Sequence, residues 1–263
     1  MKRIQRAFEN KKDGLLSIFI TAGYPNLNDT VEVLKELEAN GVDMVELGIP
    51  FSDPMADGPV IQEASGVAIN NGMTLKLLFE QLKDLRKQVN IPVLLMGYLN
   101  PVMQYGYEAF CKSCKEVGID GVILPDLPLY EYEEEYKDLF ESHGLANVFL
   151  VTPETSVERI QKLDTLTNGF LYLVSSSSTT GKKDGIDGTT DYFKRVQNMK
   201  LNSPTLIGFN VKDAASYKTA CTYSQGAIIG TAFIRSLNKN NDLKTAIQEF
   251  ISSIRQEKIE NNA

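Results

Sequence analysis

Short apolar runs alternate with stretches of helical periodicity along almost the whole chain, and this alternation restricts the fold more than any other feature. Leu15 to Thr21 is apolar at nearly every position, the pattern of a buried parallel strand. Comparable runs recur at Met44–Leu47, Pro92–Met96, Gly121–Leu124, Asn147–Val151, Phe170–Val174, Thr205–Phe209 and Ala227–Ile229. Between them lie helical periods. One runs from Asp29 through Leu37 with Val31, Val33, Leu34 and Leu37 on its apolar face, and one from Val60 to about Val89 is broken at Asn70-Asn71-Gly72. Another spans Tyr107 to Val117 and stops at Gly118. Eight strands, each followed by helical pattern, count out as an α/β protein of the (β/α)8 TIM-barrel class. The 263 residues fit one such domain over 1–263, because about 250 is typical. An open doubly wound sheet uses the same units, but the chain lacks its dinucleotide fingerprint. The opening segment, with Ile4 and Phe8, reads as an extra N-terminal helix that plugs the bottom of the barrel.

Composition removes several function classes. No run approaches the roughly 18 apolar residues of a membrane span, and the basic start lacks the apolar segment of a signal peptide, so a cytoplasmic protein is expected. A net charge of −7 without a basic stripe argues against nucleic acid. An anionic small molecule stays open, since backbone N–H groups at turns and helix starts hold phosphate without Lys or Arg. Cys111, Cys114 and Cys221 are too few and too odd in number for a disulfide framework. Cys111 and Cys114 have redox or metal spacing, but they fall inside a helical pattern and no further ligands accompany them, so no metal is expected. The single histidine, His143, ends a charged helix. Serine and cysteine nucleophile schemes therefore lack a base.

Two stretches carry candidate chemistry. The first runs from Val42 to Gln62, where a strand ends on Glu46-Leu47-Gly48-Ile49-Pro50 and a loop leads to Asp57-Gly58-Pro59. Glu46 among apolar neighbours loses hydration and holds its proton more readily than a free Glu, which suits a group that gives and takes a proton. Asp57 has two readings, a second carboxylate at the barrel mouth or the N-cap of a helix that starts at Pro59. The second stretch, Ser175 to Gly188, is long, small and polar, unlike any other connection. A loop of that kind packs no core and reads as a mobile functional lid.

The wording Glu46-Leu47-Gly48-Ile49-Pro50-Phe51-Ser52-Asp53-Pro54-Met55-Ala56-Asp57-Gly58-Pro59-Val60-Ile61-Gln62 resembles the signature of the tryptophan synthase alpha chain family, and the similarity runs through most of the chain. The resemblance implies a TIM barrel that cleaves indole-3-glycerol phosphate to indole and glyceraldehyde 3-phosphate in tryptophan biosynthesis. It implies Glu46 as the catalytic acid and base, and Asp57 as the acceptor for the indole N–H. Phe19, Tyr172 and Phe209 would line the indole pocket. The phosphate would lie against Thr180 and Gly181, Gly208 with Asn210, and Gly230 with Thr231, at three successive strand ends. This chain would need no cofactor. A pyridoxal-phosphate-dependent beta chain would be its partner in an alpha2beta2 heterotetramer, met by Asp53 and a loop at Asn100-Pro101-Val102.

Two departures stand out. Where the family commonly reads Gly-Phe-Gly, this chain has Gly208-Phe209-Asn210, and Ser176 stands where some members carry Arg. Three readings stay open on the residues: a partner-dependent lyase, a stand-alone lyase of the same fold, and a catalytically weak chain that activates its partner. A Schiff-base aldolase would need a strand-borne Lys, and the strand interiors contain none.

Overall fold

The computed structural model describes residues 2–54, 57–175, 190–237 and 242–256. Helix α1 (Lys2–Asn10) precedes strand β1 (Leu15–Thr21), and α2 (Thr30–Ala39) leads to β2 (Met44–Gly48). The long helical stretch after β2 divides as its Asn-Asn-Gly break implies, into α3 (Pro59–Asn70) and α4 (Leu75–Gln81). Strand β3 (Val93–Met96) is followed by two helices, α5 (Leu99–Tyr105) and α6 (Tyr107–Val117), hinged at Gly106, whose φ of 90° excludes most other residues. The remaining strands are β4 (Gly121–Ile123), β5 (Ala146–Asn147), β6 (Phe149–Val151), β7 (Leu171–Val174), β8 (Thr205–Gly208) and β9 (Gly226–Ile229).

All pairings are parallel, in the order β5-β4-β3-β2-β1-β9-β8-β7-β6. The two ends of that row are consecutive pieces of chain, so β5 and β6 form one position interrupted at Val148. The single strand expected over 147–151 is thus split: its first half pairs with β4 and its second with β7. Eight positions close into a barrel, as the sequence implied.

Side chains alternate between two cores, as the period of a strand requires. Outward residues such as Leu16, Ile18, Val45, Leu47, Val93 and Leu95 meet the surrounding helices. Inward residues, among them Leu15, Met44, Leu94, Ile123, Leu206 and Ile228, fill the barrel. Ile4 of α1 is fully buried in that inner core, and the Phe8 ring lies 6.0 Å from Phe170, so α1 closes the N-terminal end as expected. Asp120, 2% exposed, locks the plug in place: it pairs with Arg3 at 3.0 Å and Arg86 at 2.5 Å and accepts from the Val93 N–H. Removing a partner from so buried a carboxylate is costly.

His143 caps the helix Lys137–Ser142, with Nδ1 2.9 Å from the Leu139 carbonyl, the structural role its place in the sequence suggested. Cys111 and Cys114 are buried on α6, and burial pushes the Cys111 thiol up to about 12, so neither is a reactive thiolate. Among the described residues no helix is long and apolar enough to cross a membrane.

Candidate active site

Glu46 occupies the third of five positions in β2, and the alternation that sends Met44 into the barrel sends Glu46 there too. Phe19 of β1 and Leu94 of β3 stand beside it in register. The side chain is fully buried, and neither carboxyl oxygen closes a hydrogen bond of normal geometry. Burial raises its pKa to about 8, with the Ser17 hydroxyl acting in the opposite direction. The sequence expectation of a proton-holding carboxyl is met, by loss of hydration alone.

This shift has a consequence for stability. An unfolded Glu binds its proton only below about 4.5, whereas the folded one keeps it up to about 8. Between those values the native state holds more protons, so stability is full below the lower value and falls as pH rises through the upper one. The expected loss from this group is roughly 3–5 kcal/mol. Denaturant unfolding at several pH values should show that decline in the native protein and a flatter profile in Glu46→Gln; parallel profiles would assign the decline to other groups.

Asp57 lies beyond the end of β2 and is half-buried. The N-cap reading is corrected: Pro59 at the first helical position makes Gly58 the cap, and the Asp57 carboxylate turns instead to Tyr98, whose hydroxyl donates to it at 3.3 Å. Burial raises the Asp57 pKa and the Tyr98 hydrogen bond lowers it. Gln62 donates to the Asp57 carbonyl at 2.8 Å and fixes the turn. Tyr172 is 4% exposed; burial pushes its pKa well up, and the charges of Glu46 and Asp57 add to that.

Above Glu46 a cleft opens at the C-terminal end of the barrel, the end at which such barrels carry their sites. Phe19, Tyr98 and Phe209 line it with Asp57, as do Ile61 and Ser65, spaced four residues apart on one face of α3. Glu46 and Tyr172 do not reach its wall. Gly48, two residues beyond Glu46 on the same inward row, does. Both carboxylates were expected to face the mouth; Asp57 lines the cleft, and Glu46 is fully buried directly beneath it.

Glycines make this packing available. A Cβ on Gly48 would lie 2.6 Å from the Phe19 ring, and one on Gly208 would lie 2.2 Å from the Tyr172 ring. Gly208 is therefore required by Tyr172, a second role beside the phosphate contact inferred from its place at a strand end. Gly230 follows β9, and Thr231 opens the helix Thr231–Leu237. Thr180 and Gly181, with the rest of the loop over 176–189, lie outside the described residues.

The chain leaves β8 after Gly208 rather than after Phe209. Phe209 and Asn210 have φ of 62° and 56°, and the Phe209 carbonyl accepts from the Ser175 hydroxyl at 2.7 Å. Asn tolerates this left-handed geometry, as its sequence position suggested, whereas Phe seldom adopts it. Because the Asn210 side chain is exposed at the end where phosphate is expected, Asn210→Gly should lower the substrate KM about two- to threefold; an unchanged KM would exclude crowding by this side chain.

Asp53 is exposed, hydrogen-bonded by Ser52. Asn100 and Pro101 were expected in a loop, but they lie in α5, whose first N–H group, that of Leu99, donates to both oxygens of the Asp126 carboxylate. A seven-residue helix with Pro in its first turn is below the length that periodicity reveals. Sequence reasoning missed Thr21, Ile61 and Ser65; the first was signalled by period two from Phe19, the others by one and two turns from Asp57.

A family model described as "Tryptophan synthase alpha chain" matches residues 5–262. A protein of Flavobacterium psychrophilum bearing that name is 56% identical over 256 residues, covering 97% of this chain and all of the relative. One from Parabacteroides distasonis is 51% identical over 257 residues, again 97% and 100%. The crystal structure of the tryptophan synthase alpha chain from Legionella pneumophila superposes with a TM-score of 0.86 at 33% identity, over 98% of this chain and 97% of that one.

Proposed function

The chain belongs to the tryptophan synthase alpha chain family, and on that premise we propose how its own residues perform the family's reaction. The protein is a carbon–carbon lyase of tryptophan biosynthesis that cleaves indole-3-glycerol phosphate to indole and glyceraldehyde 3-phosphate. Glu46, protonated at neutral pH because burial holds its pKa near 8, gives its proton to indole C3. The ring becomes an iminium and an electron sink. The Glu46 carboxylate then takes the proton of the side-chain hydroxyl next to the ring, the carbon–carbon bond breaks, and its electron pair returns the indole to neutrality. Glu46 ends the cycle protonated.

Asp57 accepts from the indole N–H, whose positive charge grows during the first proton transfer, so the contact strengthens toward the transition state. Two carboxyl groups in unlike surroundings thereby take unlike roles. Phe19 and Phe209 hold the ring between apolar surfaces, and Tyr172, packed against Phe209, backs them. The phosphate rests on backbone N–H groups at Gly208, Asn210, Gly230 and Thr231, joined by Thr180 and Gly181.

The observation that carries this reading is a fully buried carboxyl of raised pKa beneath an apolar cleft whose wall bears a second carboxylate. The family works with a beta chain. Asp53, Asn100 and Pro101 are assigned to that contact, in an alpha2beta2 assembly whose pyridoxal phosphate belongs to the beta chain, in the cytoplasm. Mixing the chain with indole-3-glycerol phosphate and following glyceraldehyde 3-phosphate by a coupled dehydrogenase tests the assignment. Release that a beta chain accelerates and Glu46→Gln abolishes supports it. Equal rates with and without the partner would remove the coupling, and no release in either condition would leave only a partner-activating role.

A further inference from the structure

The inner face of β1 carries two hydroxyls, Ser17 and Thr21, on either side of Phe19. Neither closes a hydrogen bond of normal geometry, although both are almost fully buried. Thr21 lines the cleft and so can meet a bound molecule. Ser17 cannot. It stands opposite Met44, one inward layer below Glu46, on the side away from the cleft, within a core of Leu15, Leu94, Leu206 and Ile228. A hydroxyl left unpaired in such surroundings costs stability. The polar group beside it on the neighbouring strand is the Glu46 carboxyl, whose two oxygens are also unpartnered. A hydrogen bond between the two would satisfy the Ser17 hydroxyl and one of the Glu46 oxygens.

We propose that Ser17 is a positioning residue for Glu46: its hydroxyl hydrogen-bonds the carboxyl from below and holds it oriented toward the cleft. This rests on the acid–base role assigned to Glu46. Lying beneath the carboxyl, Ser17 touches neither substrate nor reacting atoms. The bond is neutral while Glu46 is protonated and becomes charge-assisted once the proton has left for indole C3, so it stabilises the carboxylate when that carboxylate must act as base. The other titratable group close enough to interact with Glu46 is the Tyr172 phenol from β7. The inward neighbours on β3, β8 and β9 are Leu94, Met96, Leu206 and Ile228, which do not titrate. Ser17 is accordingly the one group that opposes the effect of burial on Glu46.

The test compares native protein, Ser17→Ala and Ser17→Thr, with Glu46→Gln as reference. Carboxyl-carbon NMR, with the Glu46 signal identified by its loss in Glu46→Gln, gives the midpoint directly. Ser17→Ala should move that midpoint up by about one pH unit, move the alkaline limb of kcat with it, and lower kcat roughly three- to tenfold at unchanged KM. Ser17→Thr, which restores a hydroxyl, should return both midpoint and rate toward native values. A merely structural serine would change melting temperature and leave the midpoint where it was, and that result would overturn the proposal. An active Glu46→Gln would overturn the assignment of Glu46 itself, a separate outcome, since the NMR midpoint does not depend on turnover. Should Ser17→Ala fail to fold, the Ser17→Cys midpoint decides in the same way, because a thiol is a far weaker donor.

Discussion

Glu46→Gln should reduce cleavage of indole-3-glycerol phosphate by at least about 10²–10⁴-fold, the range that general acid–base steps supply, while the barrel folds normally. The reason for expecting a large loss is that one carboxyl carries two proton transfers. Glutamine keeps the shape and the neutral charge of the protonated acid, so packing around β2 persists, but it can neither give a proton to indole C3 nor accept one from the hydroxyl. Folding should even improve at alkaline pH, because the buried group no longer has to ionise or remain protonated against solution. The loss belongs in kcat, with KM little changed, since Glu46 lies beneath the cleft rather than in its wall. Steady-state kinetics with circular dichroism as a fold control checks this, and a variant keeping more than about half the rate would remove Glu46 from the mechanism.

Asp57→Asn is the second large effect, at least about 10²-fold in kcat/KM. Asparagine retains an acceptor for the indole N–H and for the Tyr98 hydroxyl, so the geometry at the cleft wall is preserved. What disappears is the negative charge. If Asp57 merely held the loop, that isosteric change would be mild. If it stabilises the charge that develops on the indole ring, the change removes an interaction strongest in the transition state, and kcat falls more than affinity does. Tyr98→Phe offers a graded comparison: it removes one donor to Asp57 and leaves the charge, so its effect should be much smaller. Equal losses in Asp57→Asn and Tyr98→Phe would reassign Asp57 to a structural role.

The barrel was legible because a strand buried on both faces and a helix buried on one leave different periods, and eight repetitions of that pair have few solutions. Gly106 and Pro101 show the limit. Two helices meet at Gly106, and the first, of seven residues, is too short to establish a period, so Asn100 and Pro101 read as loop while the longer one over 107–117 was legible. The split of the fifth strand at Val148 was also invisible, because it follows from which neighbours the two halves find across the closing barrel. At the site, local sequence determined that Glu46 would sit in apolar surroundings and that Pro59 would start a helix. That start already makes Gly58 the cap, but only the tertiary structure decided that the Asp57 carboxylate turns to Tyr98 and that Glu46 lies one layer below the cleft. It also decided that Ser17, 29 residues away in sequence, stands beneath that carboxyl. Strand register and barrel closure bring together residues whose separation along the chain carries no trace of their contact, and the electrostatics of the site depend on those contacts.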